Sequence, residues 1–123
     1  MSGRPFHLLL VEDELFIREL VVTLCAEQGV EVTAVADGRA ALRAARSHRP
    51  DLVLLDIVLP VLDGIAVCRL LKADPATRDV PVFMLSARVR EADRQAALKA
   101  GADGYLEKPF RAAGLHELIE RYR

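Results

Sequence analysis

Lysine is scarce in this chain: only Lys72, Lys99 and Lys108 stand against 14 arginines in 123 residues. Cysteine is scarcer, with Cys25 and Cys68 lying 43 positions apart, each in a helical pattern. Both read as buried reduced thiols, with a disulfide or metal role as the alternative, which suits a cytoplasmic protein. No apolar run approaches the ~20 residues that span a bilayer, so no membrane partner is expected. Met1-Ser2-Gly3-Arg4-Pro5 leads into no secretory-type apolar segment, because acids already arrive at Glu12. The net charge of −1 excludes bulk attraction to nucleic acid or anionic membrane, so direct nucleic-acid binding is not expected either. His7, His48 and His116 have no metal-ligand spacing and fall in different elements, which marks them as structural or exposed. Repeats, low-complexity stretches and internal linkers are also missing. Residues 1–5 read as a short N-terminal tail and residues 6–123 as one domain, with no output domain after its last helix.

What the chain has is 52% apolar and 28% charged residues, ordinary for a globular domain. Its length allows about two-thirds of the unfolded surface to be buried. Five short apolar runs alternate with helical stretches. Strands are expected at about residues 6–11, 30–35, 52–55, 81–85 and 104–107. The helices between and after them are expected at about 14–28, 39–47, from Asp63-Gly64 to Asp74, 91–100 and 112–121. The first uses the stripe Ile17, Leu20, Val21, Leu24 and Cys25. The third turns Val67, Leu70 and Leu71 inward, and the last Leu115, Leu118, Ile119 and Tyr122. Gly29 suits a helix C-terminus and Asp37 an N-cap. Strict alternation makes a parallel sheet with helices on both faces and right-handed crossovers.

The chemistry lies where these runs end. Glu12 and Asp13 follow the first, Asp56 the third, Ser86 the fourth, and Lys108 the fifth, before Pro109. In an open parallel sheet, ligands bind beyond the carboxyl ends of the strands, at the switch point. Three carboxylates should meet there beside one ammonium. Carboxylates crowd together only at a cost unless a cation sits among them, which points to a divalent metal. The lysine points to an anion beside it, and a compact ammonium is not interchangeable with guanidinium. Each residue also has a plainer reading. Asp13 could only cap the first helix, Ser86 could be a polar strand end, and Lys108 a solvated surface lysine. Tyr105, in a short edge strand, suits a half-buried ring with its hydroxyl in water.

Taken in order, Glu12-Asp13, Asp56, Asp63-Gly64, Ser86-Ala87, Tyr105 and Lys108-Pro109-Phe110 resemble the receiver domains of two-component response regulators, over about residues 6–122. The resemblance implies a flavodoxin-like (βα)5 fold with sheet order 2-1-3-4-5. It implies Asp56 as phosphoacceptor, and Mg²⁺ held by Asp13, Asp56 and the Val58 carbonyl, with Glu12 reaching it mainly through water. Ser86, the Ala87 backbone and Lys108 would contact the phosphoryl group, Tyr105 would be the switch aromatic, and Lys108-Pro109 would be cis. The implied donor is a sensor histidine kinase or histidine phosphotransfer protein; the downstream effector is unknown. Leu15 and Phe16, with Pro109 and Phe110, could form a docking patch for the kinase. Val58 and Arg88 should flank the approach to the phosphoryl group. Three departures stand out: Ser86 where threonine is also common, no acid at Gly104 before Tyr105, and Gly114 near the start of the last helix. They put in doubt the usual dimer of the DNA-binding branch.

Two rival readings differ in class. An interaction module keeping only the fold should have lost part of the set Glu12, Asp13, Asp56, Ser86 and Lys108. A phosphatase of another doubly wound fold usually places a second acid two residues past its nucleophile, where this chain has Val58. The leading expectation is therefore a phosphorylation-dependent switch, not a classical enzyme.

Overall fold

Three of the five apolar runs are buried along their whole length: β1 (His7–Val11), β3 (Leu52–Asp56) and β4 (Val82–Ser86). The computed structural model describes residues 4–87 and 90–123. The outer strands β2 (Glu31–Val35) and β5 (Gly104–Glu107) are more exposed, as edge strands should be. All pairings are parallel, and the order is β2-β1-β3-β4-β5. The chain reverses its direction of winding between β1 and β3, which is where a cleft is expected.

Alternation along each strand sends side chains to two cores. Leu9, Val11, Val53, Leu55, Val82 and Met84 pack under α2 (Gly38–Ser47), α3 (Gly64–Ala73) and α4 (Glu91–Ala100). Leu8, Leu10, Leu52, Leu54, Phe83 and Leu85 pack under α1 (Leu15–Ala26) and α5 (Ala112–Tyr122). Full burial of each such leucine stabilises the fold by about 1.5–3 kcal/mol. Both cysteines are buried and form no disulfide, Cys25 on the inner face of α1 and Cys68 on that of α3.

The helix boundaries have local causes. The Asp37 carboxylate accepts the Ala40 amide at 2.9 Å, capping α2 as expected, and Asp63 does the same for α3 through Ala66 at 3.0 Å. Gly101 ends α4 in the left-handed region, at φ 99°. Gly29 also has positive φ, but it lies past the end of α1, whose C-cap is Glu27. Lys72 ties α3 to the sheet: its ammonium donates to the Val80 carbonyl at 2.8 Å and to Asp103 at 3.0 Å.

Four expectations are corrected. Leu70 is 44% exposed; the inward stripe of α3 is Gly64, Val67, Cys68 and Leu71. At 100° per residue Leu70 stands roughly 110° from the centre of that stripe. Tyr122 is 38% exposed and only touches the core, edge-on to Phe83 with ring centroids 5.9 Å apart. Pro81 stays outside β4, which begins at Val82. Asp56 is the last residue of β3 rather than the first beyond it.

The missing acid before Tyr105 has a steric reason. Phe83 lies opposite Gly104 in the β4–β5 register. A Cβ on Gly104 would sit 2.6 Å from the Phe83 ring. Position 104 therefore takes glycine because β4 fills its space with an aromatic ring. The Arg121 guanidinium covers that ring at 5.8 Å.

Candidate functional site

The strand ends bring together the residues the sequence pointed to. Asp56 lies at the end of β3 and Ser86 at the end of β4, both buried. Glu12 follows β1 and is fully buried; Asp13 beside it is exposed. Carboxylate oxygens of Glu12, Asp13 and Asp56 lie within 4.8 Å of one another. Lys108 reaches in from beyond β5. Its ammonium donates to Asp56 Oδ2 at 2.9 Å and also contacts Glu12 Oε1. The Lys108-Pro109 peptide is cis.

Local backbone chemistry sets these side chains. The Val58 amide donates to Asp56 Oδ1 at 3.1 Å, so the turn after β3 orients the carboxylate. The Glu14 amide donates to Glu12 Oε2 at 3.1 Å, and Arg18 donates to the Glu12 carbonyl at 2.9 Å. Glu14, not Asp13, is the N-cap residue of α1, and no side chain caps that helix. Asp13 is thus available to the cleft, and the plain capping reading falls. Gly64 allows α3 to start directly against the site: a Cβ there would sit 2.0 Å from the Asp56 carbonyl oxygen.

The electrostatics follow from burial. Desolvation raises the Glu12 pKa above the usual carboxylate value, although the Lys108 contact and the Glu14 amide pull it down. Burial alone would lower the Lys108 ammonium, but Glu12 and Asp56 outweigh it and hold its pKa above the usual lysine value. Both pKa values rise, with opposite consequences: the shift disfavours the charge of fully buried Glu12, which has one cationic partner, and favours that of Lys108, which keeps some solvent and has two anionic ones.

Asp56, Ile57, Val58, Ser86, Ala87 and Lys108 line a cleft of about 540 Å³. Arg90 and Asp93, at the start of α4, line it too; sequence reading did not single them out. Helix N-termini near a sheet edge were the available signal. Val58 is 77% exposed at the mouth. Arg88 lies outside the described residues. Tyr105 is half-buried, but its hydroxyl donates to the Asp93 carbonyl at 3.2 Å rather than ending in water, and burial raises its pKa. The Arg94 guanidinium stands 5.1 Å from the Tyr105 ring centre. Leu15 and Phe16 are 58% and 70% exposed, with Pro109 exposed and Phe110 half-buried against the α1/α5 core.

One grouping was missed. His7 and His48, taken as unrelated, stack with ring centroids 4.1 Å apart, and Glu31 lies beside both. This cluster sits at the opposite edge of the sheet, where β1 and β2 begin.

A family model described as "Response regulator receiver domain" matches residues 8–120. The chain is 44% identical over 126 residues to the alkaline phosphatase synthesis transcriptional regulatory protein SphR of Synechococcus elongatus, covering 95% of this chain and 47% of that protein. It is 47% identical over 109 residues to the transcriptional regulatory protein CseB of Streptomyces coelicolor, covering 89% and 45%. The chain thus spans about half the length of these relatives. Among solved structures it is similar to the receiver domain of sensor histidine kinase PA1611 of Pseudomonas aeruginosa. The TM-score is 0.89 at 38% identity, over 97% of this chain and 98% of that one. That structure has a magnesium ion coordinated in its active site cleft.

Proposed function

The chain belongs to the response regulator receiver domain family of two-component signalling, and from that membership we propose that Asp56 is its phosphoacceptor. The donor is a phosphohistidine on a sensor histidine kinase or a histidine phosphotransfer protein. Receiver domains are signalling modules rather than classical enzymes. The observation that carries the proposal is the Lys108 ammonium held 2.9 Å from Asp56 Oδ2, in a cleft that Ser86 and Ala87 also line.

An Asp56 oxygen attacks phosphorus, forming an O–P bond as the N–P bond of the donor breaks. The imidazole leaves with that electron pair and takes up a proton. Lys108, the Ser86 hydroxyl and the Ala87 amide contact the phosphoryl oxygens, where charge gathers in the transition state. Glu12, Asp13, Asp56 and the Val58 carbonyl would hold Mg²⁺, with Glu12 acting mainly through water. The donor set fits that ion: all oxygen, mostly anionic, with carboxylate atoms within 4.8 Å of one another. When bound, Mg²⁺ supplies neutralising charge for the transferring group. The same site positions water for slow loss of the phosphoryl group.

The added charge biases a two-state element comprising the segment after Ser86, α4 and β5, with Ser86 and Tyr105 as its moving side chains. Leu15, Phe16, Pro109 and Phe110 form the kinase-docking patch. The chain acts in the cytoplasm on a downstream effector and does not itself bind nucleic acid. Among the described residues, no helix is long and apolar enough to cross a membrane.

Intact-protein mass after incubation with a phosphohistidine donor and Mg²⁺ tests the reading. Wild type should gain one phosphoryl group and Asp56→Asn none, because an amide supplies no carboxylate nucleophile. A persistent gain in the variant would move the acceptor elsewhere.

A further inference from the structure

The His7–Glu31–His48 cluster is far from the chemistry proposed above and plays no part in it. His7 and Glu31 are register partners at the start of β1 and β2. His48 is the C-cap residue of α2, so three separate elements converge there. Glu31 Oε1 lies 3.6 Å from His48 Nδ1 and 4.0 Å from His7 Nε2. A ligand atom from each of the three falls within 4.8 Å of the others. A tetrahedral zinc with bonds near 2.0–2.1 Å sets its ligand atoms about 3.4 Å apart, so the two contacts of Glu31 need to close by about 0.2 and 0.6 Å, and the two imidazoles must turn toward each other to complete the set.

We propose that His7, Glu31 and His48 form a second metal site, for a zinc-class divalent ion, at the sheet edge opposite the acidic cleft. Two imidazoles and one carboxylate are the donors such ions prefer, whereas an all-oxygen cleft suits magnesium. The two sites therefore sort metals by donor softness within one small domain. His7 is 2% exposed and held by strand β1, so it forms the fixed wall of the site. Thr33 Oγ1 lies 2.8 Å from His7 Nε2 and would turn aside on loading. The other ring nitrogen, Nδ1, is buried, and the Arg49 backbone acts on the same ring, so His7 is held from the side away from Glu31. The His48 and Glu31 side chains are 50% and 46% exposed. They supply the mobility: the His48 ring leaves the stack and points its Nδ1 at the ion. A bound ion would cross-link the start of β1 and β2 to the end of α2.

The two thiols do not compete, since burial pushes both up to about 11. The test is titration of the whole chain with Zn²⁺, and with Co²⁺ as a spectroscopic probe, in millimolar Mg²⁺ to fill the acidic cleft. Wild type should bind one ion and show the visible bands of four-coordinate Co²⁺. His48→Ala and Glu31→Gln, both at half-exposed positions, should weaken binding about tenfold or more, since even outer-shell changes at metal sites cost 10–100-fold. Asp13→Asn should bind Zn²⁺ as wild type does. Equal affinity in wild type and both ligand variants would overturn the proposal. So would a tenfold loss in Asp13→Asn alone, which would move the ion to the acidic cleft.

Discussion

Removing the ammonium from the acidic cleft should expose how much of the fold depends on it. Lys108 is the only cation that contacts both Glu12 and Asp56 among the described residues, and the buried carboxyls lose it together in Lys108→Ala. Breaking one partner of a buried ion pair costs about 3–5 kcal/mol, because an uncompensated charge stays inside. The Lys108 side chain is 15% exposed, so the low end, about 3 kcal/mol, is the working figure. At ~2.1 cal/mol/K per residue, 123 residues unfold with an entropy of about 0.26 kcal/mol/K, so the melting temperature should fall by roughly 12 °C. Two agents should restore it. Millimolar Mg²⁺ replaces the missing charge, so the variant should gain more from metal than wild type does. Protons do the same through Glu12, whose folded pKa lies above its ordinary value of 4.5. A group shifted this way favours the fold below its unfolded pKa and loses that contribution as pH rises through the folded one. Without Lys108 the folded value climbs further, so the deficit should be large at pH 8 and shrink toward pH 5. Thermal melts at both pH values, with and without Mg²⁺, read all of this. A fall under about 3 °C at pH 8 without metal, or a deficit that grows on acidification, would refute the reasoning.

Gly64→Ala should cost about 1–3 kcal/mol, since the atoms its Cβ would meet are backbone of Asp56 and Ile57 and cannot swing away. It should also slow phosphorylation by a small-molecule donor, and a wild-type melt with a wild-type rate would sink the idea. Leu15→Ala, at a 58% exposed position, should slow transfer from the kinase but not from a small-molecule donor. Equal slowing with both donors would remove the docking patch. Val58, 77% exposed at the cleft mouth, cannot hydrogen-bond an attacking water, so Val58→Asn should speed first-order loss of the phosphoryl group with no kinase present. An unchanged or slower decay would mean that residue 58 does not limit the water's approach.

Much of this was legible because the signals were local and mutually consistent. Runs of four apolar residues marked the buried strands β1, β3 and β4, and Gly101 stopped α4 where its left-handed φ suggests it must. The acidic cleft was legible because parallel topology carries every strand end to one edge. The errors came where a side chain's fate depends on packing from another element. Leu70 fits an apolar helix face by spacing, yet Cys68, not Leu70, falls on the side that α4 covers. The Tyr105 hydroxyl finds the Asp93 carbonyl only because α4 crosses above β5. His7, Glu31 and His48 are far apart in sequence, and nothing short of strand register and the end of α2 brings them together.

Phe83 and Gly104 act as a fulcrum. One ring fills the space at the foot of the β4–β5 pair, with Tyr122 against its edge and Arg121 over its face. Ser86 and Glu107 pair at the other end of the same two strands, three residues or about 10 Å away. The Ser86 end has the long arm and is tied in turn, its carbonyl accepting the Lys108 amide at 2.8 Å, so a pull on the Ser86 hydroxyl would act on the backbone bond to Lys108. Tyr105 sits one residue from the fulcrum, where the arm is short. Its response is expected to be a turn of the ring about its own side-chain bonds, releasing Asp93, while the backbone beneath it holds still.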